Sequence, residues 1–236
     1  MKIVQPYARI LEPTLPGEAL LRRVEWIGRI SHRSEVAQTD DSWSRFLESV
    51  VLKRGDWSIT EHVVVSVDAI VDRGISHEWV RHRIAAYTQE STRFVNYAKK
   101  HTAVTEYVNP VTFICPPTIA AWEHHPHSTD PARNPYVIWL EGRQRDEQEY
   151  IALTEEKIRP EEARSCLPNA LATRLVSTYN LRNWRWFFLA RTTREAHVQM
   201  REVTIPLLVQ FQQRIPLLFD DIEPGATQAE NFRKAR

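Results

Sequence analysis

The sequence predicts one domain in which helices and strands are mixed, and three observations support this. Its 236 residues lie within the range of one large domain, and an apolar fraction of 42% can fill a sizeable core. Apolar residues recur at helical spacing after the cap sequence Asp40–Ser42. By contrast, every odd position from Val63 to Val71 is apolar, which is typical of a strand with one buried face.

The first part of the chain is predicted to contain two strands and two helices. Lys2–Leu11 is rich in β-favouring residues and should form an initial strand, and Glu18–Ile30 has apolar residues at helical spacing. The helix after the cap sequence should end near Gly55, since glycine is a common C-terminal signal. The alternating strand covers His62–Val71.

The middle of the chain is predicted to change direction several times. Asp72-Arg73-Gly74 should form a turn before a short helix over Ile75–Ile84. Tyr87–Tyr97 is expected to be extended, Val111–Cys115 to be a strand, and Glu123–Pro135 to be a surface loop because it has no period.

The second half of the chain is predicted to be mainly helical. The expected elements are, in order, a helix over Pro135–Ile158, a helix from Pro160 that ends before Pro168, a strand over Leu171–Tyr179, a helix carrying Trp184, Phe187, Phe188 and Arg191, and a helix over Glu195–Phe219. Pro206 should kink the last helix because its ring removes a backbone donor. The polar tail after Pro224 is expected to be mobile.

Composition and charge narrow the class of protein. The net charge is +1 and neither half is strongly basic, so the long-range field of a nonspecific nucleic-acid binder is missing. The two cysteines, Cys115 and Cys166, have no metal-binding spacing and suit a reducing compartment. We expect a cytoplasmic protein, because no basic leader or membrane-length apolar run is present.

The chain has no glycine-rich phosphate loop. Only six glycines are present, and none of them forms a P-loop or a G-x-G-x-x-G sequence. Side chains must therefore hold any nucleotide that the protein binds.

The stretch from Arg81 to Phe94 has the composition of an anion site. It places three arginines, one histidine and the hydroxyls of Ser91 and Thr92 directly after an apolar run. Arginine offers a planar fork that matches phosphate or carboxylate oxygens, and hydroxyls can donate to the same group. A phosphorylated ligand is the first hypothesis. The alternative is that Arg81 and Arg83 only stabilise the end of a helix.

Arg191 is a second candidate. It follows Trp184, Phe187 and Phe188 on one helical stripe, where a guanidinium group needs a partner or a ring to stack on. The alternative is a long side chain that reaches water from the end of its helix.

Three histidines, His124, His125 and His127, form the one cluster suggestive of metal. A metal-dependent phosphohydrolase is therefore a third hypothesis, which predicts loss of activity on chelation. No carboxylate or cysteine stands at helical spacing from them, which favours solvated loop histidines.

These motifs together resemble the flavin-dependent thymidylate synthases. The family hallmark is Arg-His-Arg, seven residues, then Ser, and Arg two residues later; here these are Arg81–Arg83, Ser91 and Arg93. Flanking blocks agree over about Asp56 to Ile222: Ser58–His62 upstream, then Glu162-Ala163-Arg164 with Leu167-Pro168, and Asn180-Leu181-Arg182 with Phe187, Phe188 and Arg191. The combined spacing is more specific than any single block.

The resemblance implies a role for each matching residue. Residues implied to bind dUMP are Glu78, Arg81, Gln89, Glu90, Ser91, Thr92, Arg93, Arg164 and Arg191. Residues implied to contact FAD are Ser58, Arg81, His82, Arg83, Gln89, Asn180, Leu181, Arg182 and Trp186. Arg191 matches the arginine that polarises the uracil ring, and Trp186, where the family often has Asn or His, is expected to stack.

The resemblance also implies the reaction and the assembly. NADPH reduces FAD, methylenetetrahydrofolate donates a one-carbon unit, and the hydride of the flavin completes the methyl group of dTMP, with no cysteine nucleophile. The implied fold is a single α+β domain over residues 1–236, with a mainly antiparallel sheet flanked by helices. The implied assembly is a homotetramer with active sites between subunits.

Several residues depart from the family pattern. Ala86, Thr88, Gln89 and Phe94 replace a frequent Ser, Asn, Glu and Tyr, but none of these changes removes a charge from the arginine set. The alternative from another class is a noncatalytic nucleotide- or RNA-binding module, in which Arg81–Arg93 clamps phosphate and Tyr87 and Phe94 stack on bases. We expect the enzyme to be yellow with bound FAD and a binding module to be colourless.

Overall fold

A computed structural model describes residues 1–98, 111–125 and 133–234. The chain divides into two compact units. Unit 1 contains Met1–Tyr7, Ala69–Arg81 and Thr88–Leu175, and unit 2 contains Ala8–Asp68, His82–Tyr87 and Val176–Arg236.

The strands belong to two sheets. They are β1 (Lys2–Ile3), β2 (Tyr7–Ile10), β3 (Val64–Asp72), β4 (Ala86–Gln89), β5 (Thr112–Phe113) and β6 (Ala172–Asn180). The antiparallel sheet has the order β2-β3-β6-β4, and β1 pairs in parallel with β5, with Lys2 opposite Thr112. The mixture of helix and sheet confirms the α+β class in its broad form.

One predicted strand is wrong. Lys2–Leu11 forms two strands in different sheets instead of one continuous strand. Pro6, which lies between them, has no amide hydrogen to give to a ladder and so favours a break at this point.

Most of the predicted helices are confirmed, with shifted ends. The helices are α1 (Gly17–Ile30), α2 (Ser42–Leu47), α3 (Arg73–Trp79), α4 (Pro117–Ala120), α5 (Pro135–Glu155), α6 (Pro160–Ala163), α7 (Leu181–Arg191), α8 (Val198–Arg214) and α9 (Gln228–Lys234). The chain after α2 continues as a π-helix over Glu48–Lys53, and short 3₁₀ turns cover Glu35–Ala37, Trp57–His62 and Arg164–Cys166. Pro206 lies inside α8, and the kink there stays a prediction. None of the described helices has both the length and the apolar composition needed to cross a membrane.

The predicted turn at 72–74 is the start of α3. The Asp72 side chain accepts a hydrogen bond from the Ile75 amide at 2.7 Å, and this caps the helix. The helix ends at Trp79, so the Arg-His-Arg motif lies after the helix instead of within its last turn.

Part of the polar tail after Pro224 forms helix α9, and its mobility stays a prediction. Thr227 and Glu230 form a capping box, in which the Glu230 amide donates to the Thr227 hydroxyl at 3.1 Å and Glu230 accepts from the Thr227 amide at 2.7 Å. Asn231 of the following helix is fully buried and exchanges hydrogen bonds with the Glu223 backbone. These contacts hold α9 in place.

Each unit has a core of its own. In unit 2, aromatic rings pack in a row in which neighbouring ring centroids lie within 6 Å of each other. The successive pairs are Tyr179–Trp184, Trp184–Phe188, Phe188–Phe211 and Phe211–Phe219. In unit 1, Phe113, Trp139 and Tyr150 lie in one buried apolar cluster. Because Trp184, Phe187 and Phe188 are fully buried, α7 is fixed and Arg191 projects from its end at a defined place.

A buried carboxylate joins the first two helices of unit 2. The Glu25 side chain is fully buried and accepts hydrogen bonds from Arg29 at 2.8 Å, Gln38 at 3.1 Å and Ser42 at 2.6 Å. Removing one member of such a set leaves the others buried without a partner.

We expect Glu25→Ala to lower the free energy of unfolding by about 3 kcal/mol, because it leaves the Arg29 guanidinium, which is only 15% exposed, without its carboxylate partner. Glu18→Ala on the same helix is the matched control, since its ion pair with Arg22 is exposed and should contribute less than about 1 kcal/mol. Urea denaturation measures both variants. Equal losses would show that Glu25 contributes no more than a surface charge.

Candidate functional site

The Arg-His-Arg motif lies in the turn that follows α3. The Arg81 amide donates to the Glu78 carbonyl oxygen at 3.3 Å, and Glu78 is half-buried. The side chains of Arg81 and Arg83 are exposed, and neither forms an ion pair with any carboxylate among the described residues. Their guanidinium groups are therefore available to an anionic ligand.

Within unit 2, His82 contacts Arg191. The Arg191 Nε donates to His82 Nε2 at 2.8 Å. Burial, with a smaller contribution from the Arg191 charge, lowers the pKa of His82 from its usual 6.5 to about 4. The imidazole is therefore neutral at physiological pH and carries its proton on Nδ1, because Nε2 acts as an acceptor.

Both members of this pair are anchored through their backbones. The Tyr87 hydroxyl donates to the His82 carbonyl oxygen and forms a second hydrogen bond with the Tyr179 hydroxyl at 2.8 Å. The Thr204 hydroxyl of α8 donates to the Arg191 carbonyl oxygen at 2.8 Å. Residues of β4, β6 and α8 therefore hold the backbones of His82 and Arg191. This limits how the Arg191 guanidinium can be oriented.

The residue after the motif carries backbone strain. Ile84 has a φ of 66°, in the left-handed region that a β-branched residue rarely adopts. Its carbonyl oxygen accepts from Asn183 Nδ2 at 3.0 Å, which ties the turn to α7. This contact holds the turn that carries His82 and Arg83.

The expected flavin contacts at the start of α7 already have structural roles. The Asn180 side chain caps α7 by accepting from the Asn183 amide at 2.8 Å. Leu181 is buried, and its amide donates to the Val63 carbonyl oxygen at 2.9 Å. Arg182 forms an ion pair with Glu61 at 2.5 Å, with about half of each side chain exposed.

Ser58 opens onto a cavity of about 410 Å³ in unit 2, whose lining includes Arg29, His32 and Arg54. Trp186 is 56% exposed and packs edge-on against Phe232 of α9, with ring centroids 4.6 Å apart. Stacking of Trp186 on a flavin stays a prediction.

The second group of expected ligand contacts lies in unit 1, in the segment that follows β4. Thr92 is only 4% exposed, and its hydroxyl accepts from Arg164 Nη1 at 2.8 Å. The Ser91 hydroxyl accepts from the Arg93 amide at 3.3 Å. Ser91, Thr92, Arg93 and Arg164 are thus brought together by the structure, and Glu161 lies 3.5 Å from the Arg93 guanidinium.

Gln89 and Glu90 face the interior of unit 1. Gln89 Nε2 donates to the hydroxyls of Ser76 at 2.8 Å and Thr173 at 3.3 Å. The Tyr97 hydroxyl donates to Glu90 at 2.6 Å, and burial raises the pKa of Tyr97 well above its usual value. These two side chains hold the segment before Ser91 in position.

The histidine cluster receives no support as a metal site. His124 and His125 are described, and His127 lies outside the described residues. Over the described parts of the chain, no group of three or more His, Cys, Asp or Glu is placed to hold a metal ion. The His125 ring lies against Trp122, with ring centroids 4.4 Å apart.

Some residues of these groups were not singled out from the sequence. Arg159 and Glu161 join the arginine cluster of unit 1, and Thr204 anchors Arg191. Tyr87, considered above as a platform for stacking on bases, instead lies edge-on to Tyr179 and holds the His82 carbonyl oxygen. No short motif marks these residues. Some have partners that are distant in sequence, and the others have near partners that do not share a helix face with them.

Comparison with known proteins identifies the family. A family model described as thymidylate synthase complementing protein matches residues 18–217. A flavin-dependent thymidylate synthase of Sulfurisphaera tokodaii is 30% identical over 200 residues, which cover 84% of this chain and 69% of that protein. That of Saccharolobus solfataricus is 32% identical over 200 residues, covering 84% and 68%, and that of Mycobacteroides abscessus is 30% identical over 207 residues, covering 85% and 78%. Because the family model spans most of the sequence, the motif residues included, the chain belongs to the flavin-dependent thymidylate synthase family.

Proposed function

We propose that this enzyme converts dUMP to dTMP, with FAD as its cofactor, methylenetetrahydrofolate as the carbon donor and NADPH as the reductant. The observation that carries the proposal is the fixed and permanently charged guanidinium of Arg191, held by a neutral His82. Methylation of uracil needs negative charge to develop on the ring, and a preorganised cation beside the imide stabilises that charge.

In the alternative mechanism of thymidylate synthesis, a cysteine thiolate attacks the uracil ring. Neither cysteine of this chain is activated for such an attack. Cys115 is buried, and the Cys166 Sγ donates to the Ala163 carbonyl oxygen at 3.2 Å. Burial raises the pKa of the Cys166 thiol, so that little thiolate is present at neutral pH. Both cysteines thus suit a structural role.

The residues present fit a flavin dinucleotide. Exposed guanidinium groups at Arg81 and Arg83, with no carboxylate partner among the described residues, match the charge of its pyrophosphate. We assign these two residues, with Ser58, His82, Gln89, Asn180, Leu181, Arg182 and Trp186, to holding the cofactor. Bound flavin would supply the hydride that completes the methyl group.

The residues proposed to bind dUMP have different tasks. Arg93 and Arg164 of unit 1 bind the phosphate, with Ser91 and Thr92 supporting them. Glu78, Gln89 and Glu90 position the segment around the nucleotide, and Arg81 reaches both ligands. Arg191 acts on the ring, and His82 fixes the plane of its guanidinium by accepting from Nε.

Assembly as a homotetramer with active sites between subunits, in the cytoplasm, remains part of this proposal. Exposed aromatic side chains support self-association, among them Trp26 at 49% and Phe94 at 79% exposure.

Flavin absorbance with a dUMP titration tests the proposed function directly. The purified protein should be yellow, and dUMP should perturb the flavin bands. A colourless protein that cannot be loaded with FAD would contradict the proposal.

Arg191→Ala should keep flavin bound but reduce dUMP-dependent turnover at least about a hundredfold, because the charge that stabilises the ring is lost. Stopped-flow oxidation of the reduced flavin in the presence of dUMP and the folate measures the effect. Arg23→Ala is the control, since it removes an exposed arginine of the same unit that lies outside the cavity next to Ser58. Unchanged turnover in Arg191→Ala would remove Arg191 from the mechanism.

Thr92→Val should weaken dUMP binding about three- to tenfold, because Arg164 loses the acceptor that orients it. Thr92→Ser keeps the hydroxyl and should restore the affinity. Calorimetric titration measures both variants. Serine keeps the hydroxyl but lacks the methyl group, so an equal loss in the serine variant would show that the packing of Thr92, and not the hydrogen bond alone, sets the affinity.

The pKa of His82 predicts how stability changes with pH. The value is lower in the folded state, about 4 against 6.5, so the unfolded chain binds the proton more tightly. This contribution to stability is therefore complete above pH 6.5 and is lost as the pH falls towards 4. In His82→Gln, thermal unfolding should lack this component, and the difference in stability between wild type and variant should narrow over that range. A constant difference would contradict the lowered pKa.

A further inference from the structure

One carboxylate of unit 1 is surrounded by arginines. Glu161 Oε1 lies 2.7 Å from Arg159, Glu161 Oε2 lies 3.5 Å from Arg93, and the Glu161 carbonyl oxygen accepts from Arg164 Nε at 3.1 Å. Two guanidinium groups therefore share one carboxylate, and a third lies at the main-chain oxygen of the same residue, which leaves a local excess of positive charge. A carboxylate in this position resembles a bound anion in its charge and in its partners.

The contact between Glu161 and Arg93 is the weak one of the set. It is long for an ion pair, and the Arg93 side chain is 57% exposed, so water screens it. A phosphate offers the same guanidinium more oxygens and more charge than a carboxylate does. A phosphate that reaches Arg93 is therefore expected to bind its guanidinium more strongly than the Glu161 carboxylate does.

The orientation of Arg164 does not depend on the Glu161 carboxylate. Arg164 is held by the Glu161 main-chain oxygen and by the Thr92 hydroxyl. Changing only the side-chain charge of Glu161 therefore alters the field at the cluster and the pairing of Arg93, while both contacts of Arg164 are kept.

We propose that the Glu161 carboxylate is a resident counter-anion of Arg93, which the phosphate of the nucleotide displaces, and that Arg159 retains the carboxylate after displacement. This inference rests on the proposed function for the identity of the nucleotide. It assigns two residues, Glu161 and Arg159, that set the affinity of the phosphate subsite without contacting the reacting atoms.

The direct test replaces Glu161 by its neutral isostere. Glu161→Gln should tighten dUMP binding about three- to tenfold, because a competing negative charge is removed a few ångströms from the phosphate. Calorimetric titration with the flavin-loaded protein measures this, with deoxyuridine as the probe that lacks a phosphate. The affinity for deoxyuridine should not change.

Two further variants serve as controls. Glu162→Gln removes the same charge from the next residue, which is exposed and pairs with no arginine among the described residues, so it should change dUMP affinity less than about twofold. Arg159→Gln should weaken dUMP binding, because the carboxylate loses its closest cation and competes more strongly for Arg93. Weaker or unchanged dUMP binding in Glu161→Gln would overturn the proposal and make Glu161 an orienting or neutral residue.

Inorganic phosphate separates this inference from the proposed function. If the wild type does not bind dUMP, but Glu161→Gln binds inorganic phosphate more tightly than the wild type does, the counter-anion role holds and the nucleotide assignment fails. If dUMP binds and Glu161→Gln has no effect on either dUMP or phosphate, the assignment of the nucleotide holds and the counter-anion role fails. Absence of phosphate binding and of dUMP binding in both proteins would overturn both.

Discussion

The hydrogen bond between Arg191 and His82 is the constraint on which the proposed chemistry depends. A guanidinium group is always charged, so its usefulness is decided by orientation, and here the orientation is fixed by an imidazole that burial keeps neutral. A protonated His82 would repel Arg191 and could not accept its hydrogen. The low pKa of His82 is therefore required for the position of the Arg191 guanidinium.

Other residues of unit 2 hold His82 and Arg191 in position. The aromatic rings of α7 and α8 are buried against each other and leave the end of α7 little freedom, while Tyr87 and Thr204 hold the two backbones. The strained turn at Ile84 is tied to the same helix by Asn183. Rigid packing lets a long, flexible side chain act as a preorganised charge, which is the condition for electrostatic stabilisation of a transition state.

The clustered arginines of unit 1, Arg93, Arg159 and Arg164, are more exposed than the Arg191–His82 pair of unit 2. These arginines lie at an exposed surface, where single ion pairs are weak, and they lie around one carboxylate and one buried hydroxyl. The long contact between Arg93 and Glu161 supports the proposal that a phosphate can replace the carboxylate there.

The sequence by itself determined most of the longer helices and strands and the family to which the chain belongs. Periodicity located α1, β3 and α7, and the spacing of Arg81, Ser91, Arg93 and Arg191 indicated the family. The capping box at Thr227 and Glu230 is a local feature of the sequence, whereas the break between β1 and β2 depends on how the strands pair. Only the tertiary structure decided that His82 accepts from Arg191, that Thr92 is buried against Arg164, and that the Glu161 carboxylate lies next to Arg93. Local pattern fixes which face of an element is apolar, but a hydrogen bond between residues 72 or 109 positions apart depends on how the chain packs, and no local pattern encodes that.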